Sequence, residues 1–462
     1  MEPRSVPAPA VSAPIPARRR MSLPALVAVT FFMVSGGPYG LEELVRMAGF
    51  QTSILILLVT PFLWSLPTAL MLGELSSAIP AEGGFYVWVG RALGPFWGFQ
   101  EAWLSLAASV FDMAIYPTLF VLYLARVFPW AGQHPVLAGA AMIALCTVWN
   151  LAGAKAVGDS SLVLAAALLL PFAVLAGACL IRGHLPALAP PAGPAAGADL
   201  LGGVLIAMWN YMGWDNASTF AGEVEDPQRT YPRALIATVG LVAAAYVIPV
   251  VLVGRTGLDP SGWETGAWVD VATRVVGPWL GWALVLGGML CGLGMFNALL
   301  LSYSRLPAVL AEDGVLPRVF ARRLPDGAPW VAVVVLALLW TSTLGLGFER
   351  LVMIDVLIYG TSLVLEFVAL AVLRHREPDL PRPYRVPGGI LGAWLLGLPP
   401  TALIVVTFLR NRNERLGGVS TLTLGLAVMG AGVLAFGLHR LRRSPRALGT
   451  APDPDLDEAA AP

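Results

Sequence analysis

The sequence predicts an all-α membrane protein of twelve transmembrane helices. Helices 1–5 and 6–10 form a 5+5 inverted-repeat core with helices 1 and 6 broken, and helices 11 and 12 follow. Three observations lead there. The chain is apolar, with 57% hydrophobic and only 13% charged residues and a mean hydropathy of +0.73, against about 25% charged residues in soluble proteins. Its apolar runs reach the ~20 residues a helix needs to cross a ~30 Å hydrocarbon core. Helix breakers also recur at matching places five spans apart.

Taken in order, the candidate spans are 22–50, 53–78, 95–127, 135–153, 157–181, 199–222, 233–254, 270–304, 330–347, 350–373, 388–409 and 418–440. Residues 1–20, rich in Pro and Ala, read as a disordered cytoplasmic tail, as do 446–462, with the membrane domain at 21–445 between them. Within that domain spans 1–5 cover 22–181, spans 6–10 cover 199–373 and spans 11–12 cover 388–440. The run after Arg18, Arg19 and Arg20 is too long for a signal-peptide core. Basic residues gather in alternate loops, at Arg18–Arg20, Arg229, Arg233, Arg318, Arg322, Arg323, Arg374, Arg376, Arg382 and Arg385. The positive-inside rule then puts both termini in the cytoplasm of a multi-pass protein of the cytoplasmic membrane. One loop, "RNRNERLGG", runs against the rule.

Two spans do not read as continuous helices. "VSGGPYGLEE" (34–43) carries Gly36, Gly37, Pro38 and Gly40 inside the first, and "WNYMGWDNAS" (209–218) sets Gly213 among Asn210, Asp215 and Asn216 in the sixth. Freed backbone survives at membrane depth only where it lines a cavity or is buried in protein. A single such glycine reads as helix packing. Two breaks five spans apart, each beside an acid, read as the discontinuous helices of an inverted-repeat transporter with its site near the midplane.

The acids in or near the spans are Glu42, Glu43, Glu74, Glu101, Asp112, Asp215, Asp355 and Glu366. An acid at the helix centre costs ~2.5–3.5 kcal/mol on insertion scales. Basic residues within the spans are far fewer, so a small cationic substrate or protons suit the chain better than an anion. Glu42, Glu43 and Asp215 stand just past the breaks. Glu101 reads as near the solvated cytoplasmic end of span 3, Asp355 as half exposed, Glu74 as structural or functional in equal measure, and Glu366 as a proton site or a structural partner. Tyr39, Trp209, Tyr211 and Trp214 cluster at the breaks, and an aromatic face attracts an ammonium. Most tryptophans of a membrane protein serve packing or the interface; Trp214, beside Asp215, reads as the exception.

Lys155 is the sole lysine among 29 basic residues. A buried lysine can give up its proton where an arginine cannot, so Lys155 is a candidate for proton coupling, with an ordinary inner-loop charge as the bland alternative. Cys146, Cys179 and Cys291 lie in apolar runs and read as packing residues. The four histidines show no metal-ligand spacing, and no P-loop is present. The sequence therefore implies no enzyme, cofactor, metal site or nucleic-acid partner. It leaves the oligomeric state open.

Several stretches in order resemble the amino acid/polyamine/organocation superfamily of secondary transporters: "GELSSAIPAEGGFYVWV", "NLAGAKAVGDS", "AGEVEDPQRTYPRAL" and "SRLPAVLAEDGVLP", with "RPYRVPGG" in support. Within it the chain is most similar to the polyamine:proton symporters, the group that holds the plant polyamine uptake transporters, through "VSGGPYGLEE", "LGPFWGFQEAWLSLAASVFDMAIYPTLFVLYL" and "WNYMGWDNASTFAGEVEDP". Met113 departs from that group, where an asparagine is usual. The resemblance spans residues 22–445. It implies proton-coupled uptake of a polyamine, with Ser35, Gly36, Gly37, Tyr39, Glu42, Glu43, Asp112, Asn210, Trp214 and Asp215 about the substrate, and Lys155 and Glu366 coupling the proton. Some proton-coupled members place a lysine where Lys155 stands. The alternatives are an amino acid permease or exchanger of the same fold, in which the "SGG" amides hold a carboxylate as helix N-termini do, and a transport-inactive sensor or complex subunit.

Overall fold

The computed structural model describes residues 20–182, 200–345, 348–411, 415–416 and 419–442. The tails at 1–19 and 443–462 and the 183–199 loop, expected outside the membrane, lie beyond the described residues. The regular elements of the described chain are helices, apart from one pair of two-residue strands, Arg415–Leu416 with Val419–Ser420, at the loop that runs against the charge rule.

The first broken span opens with α1 (Leu23–Val34) and leaves the helix at Ser35, whose backbone is extended. Gly37 and Gly40 take positive φ of 72° and 90°, which l-residues with a side chain rarely adopt. Helix resumes at Glu42 in α2 (Glu42–Thr60), but only for two turns, because Gly49 (φ 72°) bends the chain again. The Ser53 hydroxyl donates to the Leu44 carbonyl freed by that bend (3.1 Å). The second span therefore runs from the bend through a π-turn at Pro61–Ser65 into α3 (Leu66–Ala78).

A helix that the sequence reading did not anticipate follows, α4 (Gly84–Leu93). Its position is set by a strap at 82–84 that pairs with the chain beyond the second break. The Gly83 amide donates to the Thr219 carbonyl (2.8 Å), and a Cβ on Gly84 would stand 2.0 Å from Ser218 Oγ. Then come α5 (Pro95–Val127), the short α6 (Pro129–Gln133), α7 (Pro135–Asn150) and α8 (Ala154–Arg182).

The second repeat opens with α9 (Leu200–Asn210). Beyond Gly213 (φ 93°) the span does not regain an α-helix, as a half-helix reading requires. It continues as two short 3₁₀ turns, Trp214–Thr219 and Ala221–Glu223. After α10 (Pro227–Gly254) an amphipathic helix, α11 (Ala267–Val275), precedes α12 (Pro278–Glu312). The eighth span thus starts at Pro278, and the expected start at 270 falls inside α11. Helices α13 (Trp330–Thr341) and α14 (Phe348–Arg376) complete the core, and α15 (Gly389–Asn411) and α16 (Thr421–Arg442) pack outside it. Seven of the described helices, with α2 and α3 taken as one, are long and apolar enough to cross a membrane, and four more apolar helices are shorter.

The start of the first broken span is tied to the end of the second. Met21 and Val224 form a parallel bridge, with Met21 N donating to Glu223 O (2.8 Å) and Glu225 N to Met21 O (2.9 Å). Arg305 of α12 closes on Glu223 in a fully buried ion pair (2.8 Å). At the first break the Trp268 indole of α11 donates to the Pro38 carbonyl (2.8 Å).

Candidate functional site

The two breaks face each other closely. A Cβ on Gly213 would lie 2.4 Å from the Met33 carbonyl at the end of α1. Between them a cavity opens, lined at the breaks by Gly36, Tyr39, Asn210 and Gly213 and from the facing helices by Asp112 and Asp355.

At the first break the Ser35 hydroxyl accepts the Gly37 amide (3.0 Å). The Tyr39 ring stands edge-on to Tyr123 and Phe172, and its hydroxyl donates to the Leu284 carbonyl (2.7 Å). Glu42 does not turn into the cavity. It starts α2, where a carboxylate suits the free amides and the helix dipole, and it accepts the amides of Gly40 (2.7 Å) and Gly266 (3.1 Å). Glu43, one residue on, points outward and pairs with Arg46. Neither glutamate faces the cavity, contrary to the sequence expectation.

At the second break the Asn210 amide turns back onto the Ile206 carbonyl (2.9 Å), while its own carbonyl takes the Tyr246 hydroxyl (2.6 Å). The Trp214 indole donates to Tyr211 O (2.8 Å) and is wholly buried away from the cavity lining, so Trp209, which does line it, replaces Trp214 as the aromatic face there. Asp215 is buried behind the lining. The Tyr359 hydroxyl of α14 donates to its carboxylate and accepts the Gly213 amide (3.1 Å).

The cavity's own acids come from α5 and α14. Asp112 accepts the Tyr116 hydroxyl (2.5 Å), and Asp355 leaves one carboxylate oxygen without a partner. Asp355 is 1% exposed, not half exposed as read, because the start of α14 lies against α5 rather than in solvent. Glu101 also departs from its expected place. It is fully buried and takes the Ser362 hydroxyl of α14. Glu366, one turn further, is buried with neither oxygen hydrogen-bonded. Glu74 resolves to a structural role, since it pairs with Arg374 (2.8 Å) and Arg382 (3.2 Å) and caps the Val386 amide (2.7 Å). Lys155 does not reach the breaks: its side chain is 43% exposed and its ammonium pairs with Asp159 (3.0 Å) one turn along α8.

Among the described residues, none of Glu101, Asp112, Asp215, Asp355 and Glu366 is paired with an arginine or lysine. A buried acid is tolerable when a cation or proton meets it. Around the cavity, buried carboxylates thus stand without a basic partner among the described residues. One spacing that escaped the sequence reading carried this: D-x-x-x-Y occurs in both "FDMAIYP" and "IDVLIYG", and sets an acid and a phenol on one face of each facing helix.

Comparison with known proteins agrees with this architecture. The sequence profile of a family described as "Amino acid permease" matches residues 28–432. Polyamine transporter RMV1 of Arabidopsis thaliana is 34% identical over 89% of this chain and 84% of its own. Polyamine transporter PUT1 of Oryza sativa subsp. japonica is 36% identical over 98% and 85%. The crystal structure of MhsT in complex with L-phenylalanine shares the fold at a TM-score of 0.62 and 18% identity, over 86% of this chain and 99% of that one. With the profile spanning nearly the whole membrane domain, the chain is a multi-pass membrane transporter that belongs to the amino acid permease family.

Proposed function

We propose that the chain takes up polyamines of the putrescine and spermidine class across the cytoplasmic membrane, with protons driving the uptake. The observation that carries this reading is the set of buried carboxylates around the cavity with no basic partner among the described residues. Asp112 and Asp355 line it and Asp215 lies directly behind it. A polyamine offers an ammonium at each end and no carboxylate. Its alkyl stem suits Trp209, Met212 and Leu299 between them. Two relatives named as polyamine transporters support the same class. Of the first-break amides that an amino acid's carboxylate would use, those of Gly37 and Gly40 are taken by Ser35 and Glu42.

Proton coupling falls to Glu366, buried and unpartnered, rather than to Lys155, which stands at the surface with Asp159. Titration calorimetry on purified protein tests the substrate class. Wild type should bind putrescine and release no heat with leucine. Asp112→Asn, Asp215→Asn and Asp355→Asn should each lose putrescine affinity by roughly thirtyfold or more, the ~2–5 kcal/mol of an orphaned charge pair. Variants that bind putrescine like wild type, or a wild type that binds leucine and no polyamine, would give the site to an amino acid.

A further inference from the structure

Helices α5 and α14 pack together, and each carries two buried acids eleven residues apart: Glu101 and Asp112 on one, Asp355 and Glu366 on the other. Eleven residues make about three turns, so each pair shares a face and spans ~16 Å along its axis. The helices run in opposite directions. Asp112 and Asp355 line one cavity, and Ser362, one turn before Glu366, donates to Glu101. Asp215 takes the hydroxyl of Tyr359, which lies between Asp355 and Glu366 along α14. Three carboxylate stations thus stand in a row, Asp112 with Asp355 at the cavity, Asp215 in the middle, and Glu101 with Glu366 further in.

The inner station is unsatisfied. Among the described residues, Glu366 is fully buried with both oxygens unpartnered, and Glu101, equally buried, has one oxygen unpartnered. The Ser362 hydroxyl on Glu101 is the single hydrogen bond either carboxylate receives among the described residues. Arg374, two turns on, is already committed to Glu74. Two acids so placed need a cationic donor when charged.

We infer that Glu101 and Glu366 form a second cation station, which takes the far ammonium of a linear polyamine with three or more nitrogens, so that the transporter grades polyamines by length. The inference rests on the polyamine reading above. A short diamine fills the outer and middle stations and cannot also reach one ~16 Å from Asp355. Tyr359, which bridges Asp215 and the Gly213 amide, stands between outer and inner stations and must swing aside for the longer chain.

The test is calorimetry with putrescine, spermidine and spermine on wild type, Glu101→Gln and Glu366→Gln. Each variant should lose at least roughly tenfold in affinity for spermidine and spermine. Putrescine affinity should hold in Glu101→Gln, and it doubles as the check on folding, whereas Glu366→Gln, at the proton site proposed above, is read by the ratio of its spermidine to its putrescine affinity. Unchanged spermidine and spermine affinities, whatever happens to pH-driven uptake, would overturn the station, as would an equal loss for all three ligands. A wild type that binds putrescine while neither variant discriminates by length overturns this inference alone, whereas a wild type that binds no polyamine removes the parent reading as well.

Discussion

Glu42 and Glu43 are adjacent in sequence and have opposite fates. The sequence puts both beside the break and cannot separate them, because a helix start has no phase until the preceding loop is placed. Glu42 accepts two buried amides, from Gly40 and Gly266, so it fastens the outer loop to the break. Glu43 meets Arg46 with both side chains substantially exposed. Glu42→Gln keeps the shape but weakens charge-assisted bonds and presents an amide where an acceptor is needed. It should lower stability by about 1–3 kcal/mol, read as a fall in melting temperature of the detergent-solubilised protein. Glu43→Gln should change it by less than about 1 kcal/mol. Equal losses from the two would contradict the division of roles. Lys155 teaches the same lesson from the other side. Rarity in composition marked it, but rarity carries no depth, and one turn of α8 gives it a surface partner in Asp159.

Elements were legible where their signals were local. Glycine and proline marked the first break, and Gly213 the second, because backbone that leaves the helix needs residues free to do so. What followed the second break was not legible. The two 3₁₀ turns hold their place through long-range bonds, Gly83 to Thr219 and Tyr231 to the Ala217 carbonyl (2.6 Å), which no local pattern announces. Helix α4 escaped for a related reason: it is too short and too mixed to read as a span, and the strap before it sets its position. The depth of Asp355 and Glu101 also came from packing, since an acid near the end of an apolar run looks solvated until its neighbouring helix is known. Gly213 joins both kinds of information. Its φ of 93° disfavours a side chain, and a Cβ would press on the Met33 carbonyl at 2.4 Å. Gly213→Ala should therefore push the two breaks apart and move the amide that Tyr359 holds. Putrescine affinity should drop by at least roughly tenfold, on the scale of ~1–3 kcal/mol for backbone strain at such a position. The variant should still purify as a monodisperse membrane protein. Wild-type binding by Gly213→Ala would mean that the break approach does not shape the cavity.

At the scale of the molecule, the cavity is held between two fastenings. On the face that the charge pattern puts outside, Glu42 and Trp268 tie α11 and its leading loop to the first break. On the face it puts inside, the Met21–Val224 bridge and the buried Glu223–Arg305 pair tie the two broken spans together. A transporter has to release these alternately, and in inverted-repeat folds that means rocking one part of the bundle against another around a fixed site. The inner fastening is the one whose loss has a clear direction. Glu223→Gln leaves Arg305 buried without its carboxylate, which is costly unless the guanidinium reaches water, and water reaches it by opening the inner face. Cys291 supplies the reporter. It lines the cavity yet is 1% exposed, so a thiol reagent reaches it only when one side opens. In a Cys146→Ala/Cys179→Ala background, Glu223→Gln should speed maleimide labelling of Cys291 from the cytoplasmic side of inside-out vesicles and leave labelling from the outer side unchanged or slower. Saturating putrescine should protect the thiol in both proteins. Faster labelling from the outer side alone would place the release at the wrong end, and the Glu223–Arg305 pair would then be a packing feature of the closed bundle rather than its inner latch.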